Sequence, residues 1–268
     1  MKDVTKIVQD YYNAEVEVEW NRIANRPEFL LTCRMLNRYI KPGDNVLDIG
    51  GGPGRYSLYL AGRGNDVTLF DLSPENTKFA ASQATLEGLA IKTITGDARE
   101  ADKLTTGQFD HVLLMGPMYH LLEETDRVKA MHAATNLLKP GGVIFVAFIN
   151  LFAGFIYSMK HEPSLMLSNK PSEAEYRESF LTRTSYAGDA FTQAFFIEQN
   201  EILPFMTHFP LEKLHLFSQE GILAPNEGNI MSQPQDVIAA WLDFSEKIWE
   251  REELLSWAEH LMYVGRKK

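Results

Sequence analysis

Hydrophobic positions divide the first 40 residues into two amphipathic runs. Tyr11, Tyr12, Val16 and Trp20 recur at three-to-four spacing, and Leu30, Cys33, Leu36 and Ile40 share one face of the run from Phe29 to Ile40. Pro27 separates the runs, and Lys41-Pro42-Gly43-Asp44 stops the second. A helical cover over residues 1–40 follows. From Val46 the pattern changes to short apolar runs of β character: Val46 to Ile49, Val67 to Phe70, Ile91 to Thr95, Phe109 to Met115 and Val143 to Ile149. Helix-compatible stretches separate them. One runs from Tyr56 to Ala61, and a second starts at Ser73, a good N-cap, with Pro74 in the first helical position. A third, Glu123 to Leu138, ends at Lys139-Pro140-Gly141-Gly142. Strands spaced by helices of this length predict a parallel sheet with right-handed crossovers.

After Asn150 the rhythm breaks. Residues 151–209 mix Met-rich and aromatic stretches with Pro, Ser and Asn, and Phe191 to Phe209 has the look of a β-hairpin. The segment reads as an insertion after the fifth strand. Beyond it, Leu211 to Gly221 suits a helix, Ile222 to Ala224 a short strand, Pro234 to Trp257 a long helix, and His260 to Arg266 a closing strand. The expected organisation is a helical cover at 1–40, a core at 41–150 and 210–268, and a cap at 151–209.

Composition narrows the picture without changing it. Hydrophobic residues at 45% and aromatics at 11% of 268 support a packed core. The 26 basic and 36 acidic residues leave a net charge of −10, which repels phosphate backbones and anionic membranes. No nucleic-acid or membrane partner is therefore expected. Cys33 is the only cysteine, which excludes a disulfide framework and a Cys-x-x-Cys metal site; no metal is expected. The start, Met-Lys-Asp-Val-Thr-Lys, has no apolar stretch behind it. The longest apolar run, Val143 to Tyr157, is broken by Asn150 and Gly154 and falls short of the about 20 residues of a spanning helix. A soluble, cytoplasmic protein is expected.

The candidate chemistry centres on Val46-Leu47-Asp48-Ile49-Gly50-Gly51-Gly52-Pro53-Gly54-Arg55, a strand running into a glycine turn and then a helix. Glycine lets a backbone approach a ligand closely. The dinucleotide pattern Gly-x-Gly-x-x-Gly fails, because Arg55 or Ser57 stands at its last place, and no Gly-Lys-Ser/Thr triplet marks a P-loop. What remains is Asp-x-Gly-x-Gly-x-Gly at Asp48, Gly50, Gly52 and Gly54. Asp71, Gly96-Asp97-Ala98 and Met115-Gly116-Pro117 fall at the carboxyl ends of the following strands, where open α/β sheets bind ligands.

Together with Phe109-Asp110 and Leu138-Lys139-Pro140-Gly141-Gly142, these motifs resemble those of the class I S-adenosylmethionine-dependent methyltransferases over residues 41–150. The resemblance implies a Rossmann-like, seven-stranded, mostly parallel sheet of order 3-2-1-4-5-7-6, its last strand antiparallel. It implies S-adenosylmethionine as cofactor and S-adenosylhomocysteine as product. Asp48 and the amides of Gly50, Gly51, Gly52 and Gly54 would then face the amino-acid moiety. Asp71 would accept from the ribose hydroxyls. Gly96 and Asp97 would meet the adenine amine, Leu72 and Ala98 would wall the ring, and Met115 and Gly116 would lie along the methionine portion. Tyr12, with Trp20 and Arg22, could close over the cofactor from the helical cover. Gly116-Pro117-Met118-Tyr119-His120-Leu121-Leu122 is similar to a variant in bacterial small-molecule enzymes, and Gly116 replaces the Asn/Asp of amino-methylating DNA and glutamine enzymes. A small-molecule acceptor is expected, methylated on oxygen or nitrogen, with His120 the candidate general base and Tyr119 its neighbour. The insertion would form an apolar pocket from Phe152, Phe155, Tyr157, Met159, Met166, Phe195, Phe196, Phe205 and Met206. Two alternatives stand beside this reading: methylation of RNA or protein, and a non-catalytic binding protein. The oligomeric state is open, and a dimer is compatible.

Overall fold

A computed structural model describes residues 3–268. The chain begins with three helices, α1 (Val4–Ala14), α2 (Val16–Arg22) and α3 (Pro27–Tyr39). Asp3 caps α1 by accepting from the Thr5 and Lys6 amides, and Pro27 opens α3 in its first turn. Alternation of strand and helix follows: β1 (Asn45–Ile49), α4 (Arg55–Gly62), β2 (Asp66–Asp71), α5 (Pro74–Leu86), β3 (Ile91–Thr95), α6 (Ala101–Leu104), β4 (Phe109–Leu114), α7 (Glu124–Leu137) and β5 (Leu138–Asn150). Ser73 caps α5 by accepting from the Asn76 amide at 3.1 Å. Then come α8 (Ala153–His161), α9 (Pro171–Thr182), β6 (Tyr186–Asp189), β7 (Gln193–Ile197) and α10 (Gln199–Met206). The chain closes with β8 (Leu211–Ser218), α11 (Glu227–Met231), α12 (Gln235–Ile248) and β9 (His260–Lys267).

The sheet runs β3-β2-β1-β4-β5-β9-β8, with β9 antiparallel to both of its neighbours. Counted without the β6–β7 hairpin, this is the expected 3-2-1-4-5-7-6 order. Alternate residues feed the two faces: Val112, Leu114, Ile144, Val146 and Phe148 pack toward α7 and α10, while Leu113, Val143, Phe145 and Ala147 pack toward α3 and α12. Burial on both faces is what a parallel sheet covered by helices requires. At its far end β5 takes a further partner: Ile149 pairs with β9 and β7 at once, and Asn150 pairs with β7. Buried Asn150 fixes this fork by donating to the Leu255 and Ala258 carbonyls at 3.1 and 3.0 Å. The fork opens the sheet toward residues 151–197 at the carboxyl end of β5.

Four expectations after residue 190 need correction. Residues 211–218 form strand β8, not a helix, and 221–226 form a 3-10 turn where a strand was expected. Leu211, Leu214 and Phe217 mimic a helical face because a register shift between Lys213 and His215 breaks the two-residue alternation. The hairpin lies at 186–197, and residues 199–206 are helix α10, disguised by Pro204 inside it. The long helix expected to Trp257 stops at Ile248. Trp249 turns inward against Phe217, with ring centroids 4.5 Å apart. No helix among the described residues is long and apolar enough to cross a membrane.

Candidate functional site

Along the carboxyl edge of β1, β2, β3 and β4 lies a cavity of about 150 Å³. Every residue predicted to meet the cofactor, except Gly54 and Trp20, lines it. Gly54 begins α4 instead, where a Cβ would come within 2.9 Å of the Ala80 side chain. The other glycines serve different ends. A Cβ on Gly50 would strike the Pro117 ring, and one on Gly116 would sit 2.8 Å from the Gly50 carbonyl, so this pair lets two loops touch. Gly52 is the one in the loop that faces open space, at a φ of +56°. Its amide donates to Asp71 Oδ2 at 2.8 Å, and the Ser73 amide and Asn76 Nδ2 donate to Asp71 Oδ1. Burial raises the Asp71 carboxyl against these three donors. Asp48 is fully buried, accepts from the Ser57 hydroxyl at 2.7 Å, and is pushed up to about 7 by desolvation.

Polar atoms without partners converge here. Among the described residues, Asp48 Oδ1, Tyr56 Oη, Asn76 Oδ1 and Gln219 Oε1 are buried without a hydrogen bond, and all four residues line this one cavity. Buried orphans cost about 1–3 kcal/mol each, so four in one place mark a seat for a polar ligand. Asp97 is less free than expected. Both its oxygens are taken by Arg99, which also binds Asp126 at 2.6 Å and Thr5 at 2.9 Å.

Helix α1 roofs the cavity. Gln9 donates to the Leu72 carbonyl at 3.0 Å, Ser73 donates to Asn13 at 2.6 Å, and Tyr12 Oη meets His120 Nε2 at 2.7 Å. The second ring nitrogen of His120, Nδ1, lies 3.0 Å from the Gln193 carbonyl, which can only accept. Nδ1 therefore carries the proton, and Nε2 accepts from Tyr12. Burial lowers the His120 imidazole to about 4. Tyr119 donates to the Met115 carbonyl at 3.0 Å, and burial raises its phenol. Trp20 lies away from the cavity, pinned under the Arg55 guanidinium at 3.4 Å and against Phe79.

A second cavity, of about 710 Å³, lies beyond this roof between α1, α2 and residues 149–196. Phe155, Tyr157, Met159, Met166 and Phe196 line it as expected. Phe152 packs on Phe180 instead, Phe195 lies under Arg127, and Phe205 and Met206 sit against the core. Five residues line both cavities: Tyr12, Glu19, Arg22, Tyr119 and His260. No motif pointed to His260, Glu220 or Glu28. Its Nδ1 lies 2.6 Å from Glu220, Arg22 bridges Glu19 at 2.9 Å and Glu28 at 3.0 Å, and Glu28 stands beside His260. Burial alone would lower the His260 imidazole, but the Glu28 and Glu220 carboxylates outweigh it and push it up to about 9. Burial likewise opposes ionisation of Glu28, yet Arg22 and His260 hold its carboxyl below the usual range. Their donor atoms lie within 4.8 Å of one another, and charge pairing accounts for the cluster.

Residues 46–142 match the family described as "Methyltransferase domain". Within and around this domain the chain is 38% identical over 108 residues to a ubiquinone biosynthesis O-methyltransferase of Caulobacter vibrioides, covering 40% of this chain and 42% of that protein. A protein of the same name from Xanthomonas campestris is 32% identical over 113 residues, covering 42% and 46%. The match thus spans less than half the length of these curated relatives. Among solved structures, the magnesium protoporphyrin IX methyltransferase of Synechocystis, with bound S-adenosylhomocysteine, superimposes with a TM-score of 0.61 at 13% identity, over 99% of this chain and 100% of that one. The 1,6-didemethyltoxoflavin-N1-methyltransferase of Burkholderia thailandensis gives 0.58 at 15% identity, over 98% and 88%. At such identities the likeness shows the methyltransferase fold around the domain.

Proposed function

We propose that this chain transfers a methyl group from S-adenosylmethionine to an oxygen or nitrogen of a small molecule, in the cytoplasm. The observation that carries the reading is the shared wall of the two cavities. A donor site built on the glycine loop shares Tyr12, Glu19, Arg22, Tyr119 and His260 with a larger, aromatic-rich chamber. Asp71 and the unpartnered oxygens Asp48 Oδ1, Asn76 Oδ1 and Gln219 Oε1, all acceptors, fit a ligand with ammonium and hydroxyl donors. When bound, the donor supplies a methyl group already activated by its sulfonium charge, so alignment and exclusion of water are the protein's main task. Helix α1 excludes water from above. Residues 151–209 form the acceptor cap, supported by the ring of Tyr176, Phe155 and Phe196 at the chamber wall.

His120 takes a different part from the one its motif suggested. Held near 4 with both nitrogens engaged, it is a poor proton acceptor at neutral pH. It instead positions the Tyr12 phenol at the junction. The net charge of −10 favours a small acceptor over RNA. Calorimetry with S-adenosylhomocysteine and product formation against a metabolite panel test the reading. Absence of micromolar binding would sink it; binding without turnover on any acceptor would favour a sensor.

A further inference from the structure

At the junction, the protons of the polar groups are already committed. Tyr12 gives its proton to His120, Tyr119 gives its own to the Met115 carbonyl, and Arg22 ties up both Glu19 and Glu28. The carboxylates an acceptor hydroxyl meets there are all ion-paired, which weakens them as bases. His260 is placed differently. It opens β9 opposite Ile149, the β5 residue that pairs with β9 and β7 at once. Glu220 clamps it twice, one oxygen on the ring Nδ1 at 2.6 Å and the other on the backbone amide at 3.1 Å. The ring orientation is thereby fixed, Nε2–H has no hydrogen-bond partner among the described residues, and His260 lines both cavities. The groups facing this ring are Glu220, Glu28, Arg22 and the Tyr119 ring at 6.3 Å, with Glu259 beside it held by Lys160.

Resting on the proposed methyl transfer, we infer that His260 Nε2–H binds the ionised oxygen of an acidic hydroxyl, phenolic or enolic, so that the acceptor is methylated on oxygen without a general base. The alternatives fare worse. An aliphatic alcohol needs a base stronger than these ion-paired carboxylates, and an amine that accepts from Nε2–H has its only lone pair occupied, whereas an oxyanion keeps others for the methyl carbon. An acidic hydroxyl loses its proton to solvent on binding. Its oxygen lone pair then forms the O–C bond as the donor's C–S bond breaks, and the negative charge of one partner cancels the positive charge of the other. Nine aromatic rings around the chamber suit a planar acceptor.

The probe is 4-nitrophenol, whose phenolate is coloured, titrated against the S-adenosylhomocysteine complex of the full chain. The expected result is a bound phenol at least tenfold more ionised than the free one at the same pH. His260→Gln and Glu220→Gln should both lose this preference, while calorimetry shows that they still bind S-adenosylhomocysteine. Failure of the wild type to bind S-adenosylhomocysteine overturns the proposed function itself. If it binds S-adenosylhomocysteine but the phenol is unbound, bound with its ionisation unchanged, or still ionised in His260→Gln, the role of His260 alone is overturned.

Discussion

Replacing Tyr12 with Phe removes one oxygen from a junction that ties the N-terminal helix to the methyltransferase domain across 108 residues. The ring remains, along with its edge contacts to Tyr11 and His120. What is lost is the 2.7 Å hydrogen bond, and His120 Nε2 is left as a buried acceptor without a donor. Such a loss costs about 1–3 kcal/mol, which lowers the melting temperature by several degrees in a chain of this size. Because α1 places Thr5, Val8 and Tyr12 over the donor cavity, the same energy is available to cofactor binding. If fully coupled, it weakens S-adenosylhomocysteine by a factor of about 5 to 150. Calorimetry measures this directly, and imidazole NMR follows His120, whose titration should move up from about 4 as water reaches Nε2. The roof reasoning fails if the variant melts early yet binds S-adenosylhomocysteine within twofold of wild type. In that event α1 braces the domain and has no hold on the ligand.

Further outcomes follow from the same geometry. Gly50→Ala forces a Cβ into the Pro117 ring at a φ of +75°, and should destabilise the fold by about 1–3 kcal/mol in urea unfolding. A stability unchanged from wild type would show that the two loops are not in contact. Asp71→Asn keeps the shape but removes the charge that organises the Gly52 and Ser73 amides, and should weaken S-adenosylhomocysteine at least tenfold by calorimetry. The two junction histidines bend stability in opposite directions with pH. His260, raised from 6.5 to about 9, contributes stability that is fully present below pH 6.5 and lost as pH rises through 9. His120, lowered from 6.5 to about 4, contributes stability that is present above pH 6.5 and lost as pH falls through 4. Each limb is worth about 3 kcal/mol from a shift of this size. Urea midpoints across pH should therefore lose the alkaline slope in His260→Gln and the acid slope in His120→Gln.

Local pattern carried the donor site. The Asp48–Gly54 loop, Asp71, Asp97 and Gly116 each stand at a strand end, and the strands announce themselves by short apolar runs bounded by turn residues. A strand end and its loop are set by neighbours a few residues away, so local pattern placed the first five strands and most of the cavity lining, while the sheet order came from the family resemblance. Where local order was interrupted, it misled: the irregular register of β8 hid its alternation, and Pro204 hid a helix. The protonation of the junction lay beyond any such reading. His120 and His260 are the same residue type. One is buried among Tyr12 and a backbone carbonyl, the other between two carboxylates that arrive from α3 and from the turn after β8. Only the tertiary structure decided which of them is neutral and which is charged, because desolvation and charge act through space between segments that the chain holds far apart.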